Sequence, residues 1–462
     1  MEKQTFLQQI RTRWRSVNTK FFFALILLIF AGYTFFLATN LQRNIVPDEP
    51  FHFAVSQEFS NRWGIPEEVS YTRNMGNYIR RNPWLAYWIY GQALYIFRLI
   101  QPLATEWQQL FFLRIFNALF SIGTVIYVYF FSKELIHHKW WQLLPVFALT
   151  NTLMFVLLSS GVNYDNLTNF FSIAGLFYLL RVLNKKNYVN NSLGWLIAIS
   201  LGALIKETIL PLALGMAVMW IWYTIKNRTL INIADMKRPK AILLTVILVI
   251  LIGANLSIYG VNLIKHRSIT PDCTDYYSEE HCSSISFAIR REMLALSEEL
   301  NVFQAFKQGY PEPLRYFFDT WIRAMLMKIF GIMGGSESYY PIGIAYFHIL
   351  FYWLVALGIR YYRKTTFRIY AMVAIFGFYA LTLFIKNYDI ELAYGFIQVA
   401  HQGRYIFPVI GIAFGLFSYL IKKIPHRLVR ISTLLAVLFL FIYGGPLRFV
   451  LHYDTIFLEW FI

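Results

Sequence analysis

Two adjacent acids, Asp48 and Glu49, lie between prolines in the stretch Val46-Pro47-Asp48-Glu49-Pro50-Phe51-His52-Phe53. Proline fixes φ near about −65° and turns the residue before it away from helix, so the pair is expected on a stiff turn. A carboxylate held that rigidly can serve as a general base, taking the proton of an attacking hydroxyl. It can equally be the N-cap of a helix running through Phe51-His52-Phe53. A third acid, Asp165, lies in Ser159-Ser160-Gly161-Val162-Asn163-Tyr164-Asp165-Asn166, where capping of the following helix is again the alternative. The cations that could answer these acids are Lys206 in Ile205-Lys206-Glu207-Thr208, Arg114 in Leu113-Arg114-Ile115-Phe116-Asn117 and Arg404 in His401-Gln402-Gly403-Arg404-Tyr405, with Arg73, Arg80 and Arg81 nearby in the first loop. For Lys206 the alternative is a surface pair with Glu207, or a lysine snorkelling from the bilayer edge. Lysines and arginines gathered above a carboxylate suit a lipid-linked phosphate as leaving group.

The elements that must position these residues are membrane helices. Hydrophobic residues make up 57% of the 462, charged residues only 15%, and the mean hydropathy is +0.47. A soluble chain of this length carries about 25% charged residues. The apolar residues fall into runs of spanning length near 20–38, 110–131, 140–158, 167–183, 192–205, 208–224, 241–263, 340–359, 369–386, 405–421 and 431–450, which predicts an all-α polytopic membrane protein of about 11 spans. The first run is too long for a signal-peptide core and is followed by no small-residue cleavage site, so it is expected to remain in place.

With the N-terminus in the cytoplasm, the short inner segments hold 23 of the 42 Lys and Arg residues and only three acids, Glu2, Glu134 and Asp235. This is the positive-inside pattern, and it predicts an odd number of spans with the C-terminus outside. The excess of 17 positive charges is therefore a topology signal, and nucleic acid is not an expected partner. The long loops, 39–109 and 264–338, then face outward. They divide the chain into a membrane module, 1–263, whose first loop carries the candidate chemistry, an outer loop, 264–338, and a C-terminal membrane module, 339–462. Within the loops, Trp84–Ile100 and Tyr316–Met333 are apolar but rich in aromatics or broken by charge. Both are expected to lie in the outer interface and to roof a cavity. The two cysteines, Cys273 and Cys282, fall in the second outer loop, where an oxidising compartment favours a local disulfide over free thiols. No outer His/Asp cluster has ligand spacing, so no catalytic metal is expected.

The order of Asp-Glu-Pro-x-His-Phe after the first span, Asn82-Pro83-Trp84-Leu85-Ala86-Tyr87-Trp88, Leu113-Arg114-Ile115-Phe116-Asn117-Ala118-Leu119, Asn163-Tyr164-Asp165, Ile205-Lys206-Glu207 and Gln402-Gly403-Arg404-Tyr405-Ile406-Phe407-Pro408 resembles the GT-C glycosyltransferase superfamily of integral membrane enzymes. The plan is also similar to that of the protein O-mannosyltransferases and the lipid A aminoarabinose transferase. The resemblance covers about residues 20–225 and 398–410. It implies an inverting transferase that moves a sugar from a polyprenyl-phosphate donor to a hydroxyl of a glycan, lipid or protein. It places the active site on the outer face of the cytoplasmic membrane and implies no tightly bound cofactor. It further implies that Asp48 or Glu49 is the base, that Asp165 is the second acid, and that Lys206 and Arg404 hold the donor phosphate, with Arg114, His52 and Tyr405 among the substrate-binding residues. Two other classes remain open from the sequence: a transporter or flippase of lipid-linked sugars, and a non-catalytic partner in surface-glycan assembly.

Overall fold

The computed structural model describes residues 18–67, 82–230, 233–271, 312–333, 338–341, 343–361, 365–394, 401–452 and 458–462, with a few single positions between 275 and 307. Cys273 and Cys282, and with them the expected disulfide, lie outside the described residues, as do Arg73, Arg80 and Arg81.

The described residues fold as helices, with a two-residue ladder between Ile332–Met333 and Ser338–Tyr339 and a single bridge between Leu41 and Phe461. In chain order they are α1 (Thr19–Asn40), α2 (Glu49–Ser60), α3 (Leu85–Ile100), α4 (Glu106–Leu135), α5 (Leu143–Thr150), α6 (Leu153–Ser159), α7 (Tyr164–Leu183), α8 (Tyr188–Ala203), α9 (Leu210–Lys226), α10 (Pro239–Asn255), α11 (Arg323–Phe330), α12 (Ile344–Tyr361), α13 (Phe367–Tyr394), α14 (Phe407–Lys423) and α15 (Arg427–Tyr443), besides a few shorter turns. Local chemistry sets many of the starts. Asn18 Oδ1 caps α1 through the Lys20 amide at 3.0 Å, and Thr105 and Gln108 form a reciprocal capping box on α4. Pro211 and Pro239 sit in the first turns of α9 and α10, where a missing N–H costs nothing.

Among the described residues, nine helical stretches are long and apolar enough to cross a bilayer: Thr19–Asn40, Glu106–Leu135, Tyr164–Leu183, Glu207–Lys226, Pro239–His266, Ile344–Tyr361, Phe367–Leu392, Gly403–Lys423 and Arg427–Leu451. The protein is a multi-pass membrane protein. Leu28, Ile250 and Ile349 point outward with more than 60% of their surface open, which in a bilayer is contact with acyl chains.

Two of the eleven expected spans differ. The stretch 192–205 belongs to α8, a helix of only 16 residues. The stretch 140–158 is a pair of short helices, α5 and α6, broken at Asn151 and Thr152. The reason is local competition for carbonyls: Thr152 Oγ1 donates to Ala148 O at 2.8 Å and Asn151 Nδ2 to Phe147 O at 2.9 Å. Every residue of α6 is buried, so its hydrophobicity reflects a protein core, not lipid contact.

Positive segments gather at one end of the bundle. Lys186 Nζ lies 2.8 Å from Glu134, and Arg368 reaches the Glu134 carbonyl at 3.2 Å. Along α4, Glu134 is 20 residues from Arg114, which holds the loop before α2, a rise of about 30 Å at 1.5 Å per residue. The last residues of the chain share the loop's end, since Ile462 N donates to Asn40 O at 2.8 Å and Gln42 N to Trp460 O at 2.9 Å. Of the expected interfacial segments, the first is helical as α3, packed on α2 and α4; the second, expected over Tyr316–Met333, is helical as Pro313–Phe330 on the turn before α14, while its last residues, Ile332–Met333, form one strand of the ladder.

Candidate active site

The loop before α2 is built around a buried ion pair. The Glu49 side chain is 1% exposed and receives Arg114 through two bonds, Nε to Oε1 at 2.8 Å and Nη2 to Oε2 at 2.6 Å. Arg114 spends its remaining donors on the carbonyls of Ala38, Leu41 and Gln42 at 3.0, 2.8 and 3.2 Å, tying the end of α1 to the same point. Glu49 Oε1 also accepts from the Val162 amide at 3.0 Å, which brings in the turn before α7. Asn163 Nδ2 donates to Pro47 O at 3.2 Å, and Tyr90, Asn117 and Gly161 form a buried hydrogen-bonded chain behind that turn. Gly161 admits Val46 so closely that a Cβ there would stand 2.5 Å from Val46 Cγ1. Glu49 and Arg114 therefore face each other in the protein interior, away from solvent.

Asp48, one residue earlier, points elsewhere. Its backbone takes φ 61°, a left-handed conformation that Asp tolerates better than most residues. It stands at the N-cap position of α2, yet its side chain makes no capping bond. The carboxylate is 53% exposed and bound by Arg404 Nη2. Asp165 is likewise not the cap of α7. That cap is Asn163, whose Oδ1 accepts from the Asp165 amide at 2.7 Å. The Asp165 side chain instead accepts from Lys206 Nζ at 2.5 Å and lies 3.7 Å from Arg404 Nε. Lys206 thus pairs with Asp165, not with its neighbour Glu207.

Lys206 reaches this position because α8 ends at Ala203 and the chain turns extended, with φ −154° at Lys206, before the short turn Glu207–Ile209. The ammonium sits 4.3 Å from the Tyr164 ring centroid and 5.0 Å from that of Tyr405. Arg404 projects from the turn Gly403–Ile406 and lies 5.6 Å from the Tyr405 ring. A Cβ on Gly403 would stand 2.5 Å from the backbone of both Lys328 and Ile329, so a side chain there would force that backbone aside. His52, on the first turn of α2, is buried. Its Nδ1 lies 3.0 Å from the Tyr87 hydroxyl, while its Nε2 has no hydrogen-bond partner. Asp165 Oδ2 and Arg404 Nε are also buried without one.

Four charges from four distant parts of the chain therefore converge and balance: Asp48, Asp165, Lys206 and Arg404. Burial raises the proton affinity of Asp48, but Arg404, His52 and Lys206 outweigh it, and the carboxyl ends below its ordinary value. Burial pulls Lys206 down, but Asp165 above all reverses this and keeps it charged. His52 is pushed down to about 4, chiefly by burial and against the pull of Asp48 and Asp165, and so is neutral at physiological pH. Among the described residues no group of three or more His, Cys, Asp or Glu side chains could hold a metal ion. The positive charge beside the two carboxylates comes from Lys206 and Arg404.

The structure brings together Asp48, Asp165, Lys206, Arg404, Tyr405 and His52 of the sequence-derived candidates, and sets Glu49 and Arg114 apart as a pair. Sequence reasoning passed over Tyr87, Tyr164 and Asn163, although Asn163-Tyr164 stands directly before Asp165.

Residues 83–257, about two fifths of the chain, match the family model described as dolichyl-phosphate-mannose-protein mannosyltransferase. The match includes Arg114, Asp165 and Lys206 and leaves out Asp48 and Arg404. It falls among the membrane glycosyltransferases that the motifs resemble. No curated protein matches the chain. Among solved structures, ArnT from Cupriavidus metallidurans bound to undecaprenyl phosphate is similar at 14% identity and a TM-score of 0.45, covering 87% of this chain and 60% of that one. The Archaeoglobus fulgidus oligosaccharyltransferase in complex with Zn and sulfate is similar at 13% identity and a TM-score of 0.48, covering 91% and 52%. The Archaeoglobus fulgidus oligosaccharyltransferase AglB with an inhibitory peptide and a dolichol-phosphate gives 13% identity and a TM-score of 0.47, covering 93% and 55%. The chain spans between half and two thirds of the length of these structures.

Proposed function

We propose that this protein is a GT-C-type glycosyltransferase that moves a sugar from a polyprenyl-phosphate carrier to a hydroxyl acceptor, with inversion. It would act at the end of the bundle away from the basic loops, the outer face of the cytoplasmic membrane by the positive-inside pattern. The observation that carries this reading is the position of Asp48. It is the half-exposed acid of the cluster, and it is held by an arginine that is itself 4% exposed. A half-exposed acid, backed by buried cations, is what transfer of a sugar away from a phosphate leaving group requires.

In this mechanism the donor phosphate draws Arg404 and Lys206 toward it. Asp48 loses part of its ion pair and gains proton affinity, becoming a better base as the donor binds. The acceptor oxygen then attacks the anomeric carbon while the bond from that carbon to the phosphate oxygen breaks. The hydroxyl proton passes to Asp48, and the negative charge it carried is matched by the charge gained on the released lipid phosphate. Arg404, between the two, follows the charge without a change in the net balance. Asp165 fixes the Lys206 ammonium. Tyr164 and Tyr405 wall the cations from water, which strengthens each electrostatic contact. Glu49 and Arg114 take no proton and no phosphate; they hold the loop. No step is assigned to a divalent ion.

The test uses membranes containing the full chain and radiolabelled polyprenyl-phosphate sugars. Transfer of label into a lipid, glycan or protein fraction by the wild type, lost by a factor of about 10²–10⁴ in a correctly folded Asp48→Asn, is the expected result. Label that crosses the bilayer unchanged and is indifferent to Asp48→Asn would make the protein a transporter and end this reading.

A further inference from the structure

A second polar site lies beside the acid cluster. The segment Pro313–Phe330 packs its apolar face, including Trp321, Met325, Leu326 and Ile329, into the core. Its other face, where lining residues recur every four positions, borders a cavity of about 590 Å³. Asp319, Thr320, Arg323 and Lys328 line it from that helix, with Tyr340 and Glu391 opposite. The volume falls in the range of about 300–1,000 Å³ typical of small-ligand sites. The cavity adjoins the transfer centre, since Lys328, one of its walls, lies with its backbone against Gly403, the residue before Arg404.

The lining chemistry selects the occupant. Lys328 is 3% exposed, and Glu391 Oε2 is buried without a hydrogen-bond partner. A buried carboxylate oxygen in that state needs a donor. A phosphate would face Glu391 and Asp319; a metal ion would face Lys328 and Arg323; a lipid tail would leave Glu391 unanswered. A hydroxyl both donates and accepts, so a polyhydroxylated ligand can donate to the Glu391 oxygen and accept from Arg323 or Lys328 beside the contacts they already make, and the half-buried Tyr340 offers a ring for its C–H face.

We propose that this cavity is an acceptor subsite that holds the carbohydrate part of a glycan acceptor. The acceptor role rests on the transferase reading, because the donor is placed by its phosphate at Arg404 and Lys206, leaving the adjoining polyhydroxyl site to the second substrate. Binding itself needs neither donor nor turnover, so the two are tested separately. The full-length protein in nanodiscs is offered the methyl glycosides of glucose, galactose, mannose and N-acetylglucosamine one at a time, and binding is read by saturation-transfer NMR. At least one glycoside is expected to bind, and Glu391→Gln and Lys328→Met, checked for folding by size-exclusion chromatography, are expected to weaken it roughly tenfold or more, the value of a charge-assisted hydrogen bond. Failure of all four glycosides to bind, or equal binding in both variants, overturns the subsite. Binding of inorganic phosphate that tightens in Glu391→Gln also overturns it, in favour of an anion site. Transfer activity without glycoside binding defeats this inference alone. Glycoside binding without any transfer defeats the acceptor role through the reading it rests on, and leaves a carbohydrate site.

Discussion

Adjacent acids with opposite duties give the sharpest prediction. Glu49→Gln keeps the shape of the side chain but removes the charge opposite Arg114, which is fully buried and has no water to turn to. Breaking a buried pair from one side costs about 3–5 kcal/mol, most of it the penalty on the charge left behind. Part of that cost is softened here because three carbonyls also hold Arg114, so a value toward the lower end, about 3 kcal/mol, is expected. Asp48→Asn removes a charge that is half in solvent and leaves the buried Arg404 with Asp165 still beside it, so the smaller loss, about 1 kcal/mol, is expected. Thermal unfolding in detergent, followed by retention of a monodisperse chromatographic peak, should thus show Glu49→Gln losing stability and Asp48→Asn staying near wild type. Transfer per folded molecule should reverse the order, falling far more in Asp48→Asn. The double variant Glu49→Leu, Arg114→Met should recover part of the stability lost by Glu49→Gln, as the paired removal of buried charges often does. If Glu49→Gln melts with the wild type and has no transfer activity, Glu49 is the base and the division of labour argued here is wrong.

Some of this was legible in the sequence. The helical membrane class follows from composition, and the charged stretches around Asp48, Asp165, Lys206 and Arg404 each stood out locally. What could not be read was which of them meet. Asp48 and Arg404 are 356 positions apart, and Glu49 and Arg114 are 65 apart. The split between Asp48 and Glu49 depends on the positive φ at Asp48, and that conformation persists because Arg114, Val162 and Asn163 hold Glu49 and Pro47 from elsewhere in the chain. The alternatives that failed are the ones that looked only to the neighbour in sequence. Lys206 has Glu207 beside it but reaches Asp165. Asp165 occupies a plausible cap position, yet Asn163 is two residues better placed. The stretch 140–158 had the length and hydropathy of a span, and only the carbonyl-seeking side chains of Asn151 and Thr152 record the break.

Three further outcomes follow from the same geometry. Arg404→Lys should fold but raise the donor KM at least about tenfold, because a lysine cannot bridge Asp48 and Asp165 as the planar guanidinium does; donor titration in the transfer assay measures it. Gly161→Ala should cost about 1–3 kcal/mol by forcing Val46 aside, and should lower kcat more than donor affinity, because the displaced segment carries Asp48 and not Arg404. His52 adds a dependence on pH whose sign is fixed. Its folded value, about 4, lies below the ordinary 6.5, so the unfolded chain takes up a proton that the folded chain refuses. Above the ordinary value both states are neutral and the stability is intact; as pH falls from about 6.5 toward about 4, it is lost at a slope of one proton. Below that the folded protein is protonated too, and a cation appears beside Lys206 and Arg404. Comparing wild type with His52→Gln by thermal unfolding across this window isolates the contribution, because the carboxylates titrate in both. Parallel curves for the two proteins would mean that His52 takes up its proton as readily in the folded chain as in the unfolded one, and that burial does not hold it neutral.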